Sequence, residues 1–180
     1  MFKIIVSVLA GLTISGTALA QEFGFTGGFH NSSASEKNGS GSISSEIGYK
    51  LGLALKFPMV DQLNFKTGLI YSYRPFEYSG TSVKAKFAYL DIPVLVEYKF
   101  NDMVGVFGGL VMGIKVSDKI STGATPTGME DIIPLAQVGV SFLFDDLYGF
   151  DIYAERGLGD IYDGAKDYTS FGANFVFWTY

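Results

Sequence analysis

Apolar and polar residues alternate along most of the chain with a period of two. From Ile43 to Phe57 the odd positions are mostly apolar, whereas the even positions are small, polar or charged. Because successive side chains of a β-strand point to opposite faces, this pattern predicts a strand with one apolar and one polar face. A run of this length goes well beyond the usual strand of about 5–6 residues.

The alternation recurs often enough to predict eight strands. They begin near Phe23, Ile43, Leu63, Leu90, Val104, Ile132, Tyr148 and Thr169. The last strand continues to Tyr180 and has aromatic residues on both registers, so the sequence leaves its two faces unassigned.

The predicted connections alternate between long and short. The long ones, rich in Gly, Ser, Thr, Asp and Lys, are 31–42, 76–84, 117–131 and 159–168. The short turns are 58–62, 101–102 and 145–146. Long loops on one side and short turns on the other are typical of bacterial outer-membrane barrels, whose closure leaves no sheet edge in the lipid. The sequence therefore predicts an all-β fold, an eight-stranded antiparallel up-and-down transmembrane β-barrel.

A soluble eight-stranded barrel or sandwich would show the same period, with the apolar face turned inward. Three features favour the membrane barrel. The strands are long, the polar face carries many glycines that suit a narrow interior, and only 17% of the residues are charged. In an ordinary soluble domain about 25% of the residues are charged.

Composition limits the chemistry that this chain can perform. Its 180 residues suit one domain, and they include no cysteine and a single histidine, His30. Disulfides, thiolate metal sites and a His-rich metal centre are therefore excluded. A formal net charge of −5 argues against nucleic acid as a partner, which needs a basic surface. We expect no cofactor and no metal.

The first twenty residues read as a cleavable secretory signal peptide. Lys3 supplies the positive end, an apolar run follows, and Ala18-Leu19-Ala20 is a small-x-small cleavage site. The apolar run is shorter than the roughly 20 residues of a membrane-spanning helix; a short core helix is the alternative. The predicted domains are the signal peptide at 1–20 and the barrel at 21–180, with export to the bacterial outer membrane.

The polar face of the predicted strands carries a nearly balanced set of charges. An eight-stranded barrel is just wide enough for side chains, so we expect ion pairs across the lumen. The alternative is a path for protons or solutes along the same groups. The predicted lumen network consists of Glu46, Lys50, Lys66, Arg74, Asp91, Glu97, Lys115, Asp151 and Glu155. Lys56 and Lys99 share its face, and a position near the periplasmic rim is the alternative for Lys56, Lys66 and Lys99.

Aromatic residues cluster near the predicted strand ends, where rings anchor barrels at the membrane interfaces. The candidates for these girdles are Phe57, Tyr71, Tyr73, Phe76, Tyr78, Phe87, Tyr89, Tyr98, Phe100, Phe144, Tyr148, Trp178 and Tyr180.

Three stretches resemble the PorT-like, or porin-like, outer-membrane β-barrel proteins. They are Tyr89–Phe100 (YLDIPVLVEYKF), Gly24–Phe29 (GFTGGF) and Leu69–Ser72 (LIYS). The end of the chain, with Trp178 and Tyr180, is similar to the C-terminal signal read by the barrel assembly machinery. The resemblance implies an outer-membrane barrel without shared catalytic residues.

One motif suggests chemistry. Some eight-stranded barrels are lipid A deacylases that use Ser, His and a carboxylate, and here His30 and Ser32 share a strand face near Glu46. Those enzymes carry the motif late in the chain, so we expect no catalytic residues here. A polar strand end is the plainer interpretation.

The leading functional prediction is a monomeric structural or surface-interaction protein that acts through its outward loops. The expected partners are outer-membrane lipid and lipopolysaccharide, and the assembly machinery during biogenesis. Passive transport of small or hydrophobic solutes is the alternative, prompted by Gly108, Gly139, Pro93 and Pro134 within strands.

Overall fold

The structure, a computed structural model, describes residues 22–36, 42–78, 84–120, 130–159 and 165–179. These residues form strands and their connections. The strands are β1 Glu22–Glu36, β2 Ser42–Ser45, β3 Ile47–Val60, β4 Leu63–Tyr78, β5 Lys84–Lys99, β6 Val104–Ile120, β7 Ile132–Phe144, β8 Tyr148–Gly157 and β9 Ala165–Thr179. In this part of the chain no helix is long and apolar enough to cross a membrane.

The nine segments form a closed, antiparallel barrel of eight strands, as predicted. Segments β2 and β3 are successive parts of one barrel strand, because both pair with β1 on one side and β4 on the other. The pairing of β1 with β9 closes the barrel. Its first residue pair is Phe23 with Thr179, and its last is Glu36 with Ala165. Every strand therefore has a partner on both sides, which leaves no open sheet edge.

The short connections lie at one end of the barrel, here called the turn end, and the longer ones lie at the opposite loop end. In the β7–β8 turn, Asp145 and Asp146 have φ of 50° and 56°, the left-handed backbone that tight hairpins require. In the β5–β6 turn, the side-chain oxygen of Asn101 accepts bonds from the amides of Met103 and Val104 at 2.9 and 2.8 Å.

The strands extend further toward the loop end than the alternation predicted. β1 continues to Glu36 and β6 to Ile120, over positions that the sequence assigned to loops. β6 has 17 residues, against the roughly 9–11 that a tilted strand needs to cross a bilayer. The barrel wall therefore has enough length to project beyond a membrane, and the connections are correspondingly shorter.

The outer wall is apolar around the barrel, as the alternation predicted. Exposed large side chains from all parts of the wall include Phe25, Leu51, Val96, Leu110, Val138 and Phe175. The structure also assigns the faces of β9. Tyr168, Ser170, Asn174, Val176 and Trp178 are buried, whereas Phe171, Phe175 and Phe177 are exposed.

Four of the predicted girdle aromatics are on the wrong side of the wall. Phe76, Phe87, Tyr89 and Trp178 are buried inside the barrel, each 4% exposed or less. The reason is the period of two along each strand. Phe76 is two residues from the inward Arg74 on β4, and Tyr89 is two residues from the inward Asp91 on β5, so both rings point inward. Tyr71, Tyr98, Phe100, Phe144 and Tyr148 are exposed on the outside. The side chains of Tyr78 and Tyr180 lie outside the described residues.

Candidate functional site in the barrel interior

Four charged side chains meet across the lumen in what we call the loop-side layer: Lys50, Arg74, Asp91 and Glu155. The Arg74 Nη2 atom lies 2.6 Å from Asp91 Oδ2 and 3.9 Å from Glu155 Oε2. Lys50 Nζ contacts Glu155 directly and lies 3.8 Å from Asp91 Oδ2. All four side chains are 3% exposed or less. Two cations and two anions therefore neutralise each other within one buried cluster.

Aromatic rings and an amide complete the surroundings of this layer. The Lys50 amine lies 4.6 Å from the centre of the Tyr153 ring, and the Arg74 guanidinium lies 5.0 Å from that of Tyr89. The Gln137 amide donates to Glu155 Oε1 at 3.1 Å. Pairing and hydrogen bonding make buried charges tolerable, and this layer supplies both kinds of contact to part of its polar atoms. Arg74 Nε and Nη1, Asp91 Oδ1 and Glu155 Oε2 have no hydrogen-bond partner among the described residues.

Three further charges form a turn-side layer: Lys66, Glu97 and Asp151. Lys66 Nζ lies 2.9 Å from Asp151 Oδ2 and 3.4 Å from Glu97 Oε1. The second Glu97 oxygen accepts a 2.9 Å bond from the Asn64 amide. Lys66 also donates to the Ser141 hydroxyl at 3.2 Å. Side chains from β4, β5, β7 and β8 thus meet across the interior at this level.

The interior leaves little free space between these layers. A cavity of about 50 Å³ is lined by members of both, including Lys50, Lys66, Asp91 and Asp151. A cavity of about 20 Å³ lies nearer the turn end, beside Lys56 and Trp178. A water molecule occupies about 30 Å³ in the liquid, so these spaces accommodate at most a few waters.

Apolar side chains fill the lumen on the loop side of the charges. This apolar plug consists of Phe76, Phe87, Ile133, Leu135 and Tyr168, all 4% exposed or less. The Phe76 ring packs against Phe87 at 5.7 Å and against Tyr168 at 6.2 Å between ring centres. At the turn end, Lys56 contacts Glu22 and lies 4.6 Å from the centre of the Trp178 ring. The described interior is therefore filled at several successive levels.

His30 and Ser32 both point into this interior. His30 pairs with Gly48 on β3 and Gly172 on β9, and these glycines leave room for its ring. The Ser32 hydroxyl lies 3.2 Å from the Tyr168 hydroxyl, in a buried hydrogen bond. The two side chains are 2% and 1% exposed, respectively, so both are enclosed by the barrel.

Seven of the nine residues in the predicted lumen network belong to the two layers. The other two lie toward the loop end. Glu46 occupies the break between β2 and β3 and is half-buried. Lys115 pairs with Asp131 at 3.1 Å, and the Asp131 side chain is 88% exposed. Lys115 keeps the inward parity of the buried Val111, and the register shift in the β5–β6 ladder lies beyond it, between Lys115 and Ser117.

Sequence reasoning missed several polar and aromatic partners of the charges. They are Asn64, Tyr89, Gln137, Ser141, Tyr153 and Tyr168. The parity of each strand could have identified most of them, because Tyr153 shares the face of Asp151 and Glu155. The two residues of the predicted assembly signal separate here: Trp178 packs inside the barrel, and Tyr180 lies outside the described residues.

Comparison with protein families gives a match over most of the chain. A family model described as "Outer membrane protein beta-barrel domain" matches residues 19–163. A search of curated proteins returned no match.

Solved structures show the same fold at low sequence identity. Ail, the attachment invasion locus protein of Yersinia pestis, is 16% identical with a TM-score of 0.56, covering 88% of this chain and 99% of that one. Neisserial surface protein A is 13% identical with a TM-score of 0.55, and the match covers 86% of this chain and 96% of that protein. OprG of Pseudomonas aeruginosa is 12% identical with a TM-score of 0.53, and the match covers 88% of this chain and 94% of OprG.

The family match, the closed eight-stranded barrel and its apolar outer wall agree on one assignment. The chain belongs to the outer membrane protein beta-barrel domain family and is a transmembrane β-barrel of the bacterial outer membrane.

Proposed function

We propose that this protein is a structural or surface-interaction barrel whose lumen is occluded and whose connections at the loop end form its working surface. The observation that supports this most strongly is the filled interior, with two layers of ion-paired charges beneath an apolar plug. An ion entering this lumen would have to separate buried partners and push aside packed rings. Separating one buried ion pair costs about 3–5 kcal/mol.

Passive transport is the second candidate, and one feature of the wall favours it. The β4–β5 pairing reaches Thr67–Val94 and resumes at Ile70–Asp91. Pro93 lies in this interval, has no amide hydrogen for the ladder and lines the cavity between the charge layers. A small apolar solute would use this point in the wall, and it would not need a continuous aqueous pore.

We infer that the protein is not an enzyme. A lipid-hydrolysing Ser and His must reach the ester bond of a lipid, whereas His30 and Ser32 are enclosed within the barrel. The Ser32 hydroxyl is bonded to Tyr168. The arrangement fits a packed strand end better than a nucleophile with its base.

The remaining features of the proposal come from the sequence. The signal peptide at 1–20 would direct export, and Trp178 with Tyr180 would address the chain to the barrel assembly machinery. The Tyr89–Phe100 motif supports a PorT-like relationship within the family. Outer-membrane lipid and lipopolysaccharide would surround a monomer, since ladder closure leaves no strand edge for another copy to pair with.

Cysteine labelling on intact cells tests the exposed surface, because the native chain contains no cysteine. We expect Glu130→Cys, at an exposed position just before β7 at the loop end, to react with a membrane-impermeant maleimide. Asp102→Cys, in the exposed β5–β6 turn, should react only after the outer membrane is permeabilised, because it would face the periplasm. The reverse labelling pattern would contradict the proposed orientation. Gel mobility before and after boiling verifies that both variants fold.

A further inference from the structure

The seam of the barrel, where β1 pairs with β9, joins the two ends of the described chain. At the turn end of the seam, Phe23 pairs with Thr179 and Gly24 pairs with Trp178. Phe23 and Thr179 are 156 residues apart, whereas the other pairings in the sheet join successive barrel strands. Bringing distant parts of a chain together costs conformational entropy, so we expect the seam to form last and to open first.

The Trp178 side chain crosses the seam on the lumen side. A Cβ atom added to Gly24 on β1 would lie 2.8 Å from Trp178 Cε3, and one added to Gly149 on β8 would lie 3.0 Å from Trp178 Nε1. The indole therefore lies against β1 on one side of its own strand and against β8 on the other. Trp178 is 3% exposed, so opening the seam would pull a buried ring away from β1.

Lys56 contacts the same ring from β3, on the far side of β1. The Lys56 amine lies 4.6 Å from the centre of the Trp178 ring, and Lys56 is 2% exposed. The carboxylate of Glu22, at the start of β1, contacts the amine and holds it in this position. A cation over a tryptophan ring is stabilising, and the effect is largest when the pair is shielded from water. Lys56 thus connects β3 to β9 across the seam.

We propose that Lys56 and Trp178 form a latch that keeps the seam closed at the turn end. When β9 separates from β1 it also moves away from β3, so the contact between the amine and the indole is lost with the first residue pairs of the seam. The pairings of β3 with β1 and β4 stay intact in this movement. The latch depends on the closed fold alone, so it is independent of whether the lumen conducts and of what the loops bind.

The rate of unfolding of the refolded barrel in urea, followed by gel mobility without boiling, tests the latch. We expect Lys56→Met to unfold about tenfold faster than the wild type, because the cation over the indole is lost. Trp178→Leu removes the same contact from the β9 side and should unfold at least as fast as Lys56→Met. Lys86→Met, which removes an exposed cation from the outer wall, is the matched control and should unfold at the wild-type rate.

A covalent cross-link across the seam distinguishes a latch from a general stabilising role. The native chain contains no cysteine, and Phe25 and Phe177 are an exposed pair across the seam. With Phe25→Cys and Phe177→Cys joined by a short bismaleimide, Lys56→Met should unfold at the same rate as the cross-linked protein that retains Lys56. The same cross-link between Val94→Cys and Leu110→Cys, an exposed pair on β5 and β6, should leave the tenfold difference in place.

Three results would overturn the latch. Lys56→Met could unfold at the wild-type rate, the tenfold difference could persist when the seam is cross-linked, or Lys86→Met could accelerate unfolding equally. If Lys56→Met does not fold, Trp178→Leu takes its place in the same comparison, and the same results decide.

Discussion

Replacing Arg74 by methionine (Arg74→Met) should destabilise the barrel by about 3–5 kcal/mol in its free energy of unfolding. The Arg74 side chain is fully buried and contacts both carboxylates of the loop-side layer, Asp91 and Glu155. Without it, Lys50 would be the one cation of this layer facing two buried anions. Urea titration of folding into liposomes, followed by gel mobility without boiling, measures the loss.

Two companion variants show whether the loss comes from the unpaired charge. Lys86→Met removes an exposed cation on the outer wall and should change stability by no more than about 0.5 kcal/mol. Arg74→Met combined with Asp91→Leu removes one charge of each sign, leaves the Lys50–Glu155 pair intact and should recover much of the loss. If Arg74→Met alone is as stable as the wild type, the layer does not hold the interior together as described.

Replacing Gly172 by valine (Gly172→Val) should cost about 3 kcal/mol, the upper end of the usual range for overpacking a filled interior. A Cβ atom at this position would lie 2.5 Å from the Tyr153 hydroxyl oxygen and 2.8 Å from His30 Cβ. Both neighbours are buried and face the crowded lumen, so neither can move aside easily. The same urea titration measures the effect.

Gly159→Val is the matched control for this substitution. An added Cβ at Gly159 would meet no atom within 4 Å, and the residue is exposed beyond the end of β8. We expect this variant to refold like the wild type. Equal losses at Gly172 and Gly159 would show that crowding around His30 and Tyr153 is not the cause.

Strand parity predicts most of the fold, because the two faces of a β-barrel wall meet different environments: lipid outside and the polar lumen inside. The alternation placed Lys50, Arg74 and Asp91 on the inward face, and the structure places all three there. The same parity would have turned Phe76 and Tyr89 inward. Assigning them to the membrane interface by residue type was the error.

Contacts across the lumen could not be read from the chain. Lys66 and Asp151 are 85 residues apart and lie on strands that are not neighbours in the sheet. Their contact depends on the barrel diameter and on the stagger of each strand, which a period of two does not encode. Lys115 shows a second limit. Its parity matches that of the buried Val111, but it lies near the rim and pairs with the exposed Asp131, and parity does not encode height along the barrel.

Single-channel recording in a planar bilayer is the most direct test of an occluded lumen. The refolded barrel, verified as folded by its gel mobility before and after boiling, should insert without conducting ions, because paired charges and packed rings fill its interior. Discrete, reproducible conductance steps from the folded protein would contradict the account, and they would make the buried charges the lining of a pore.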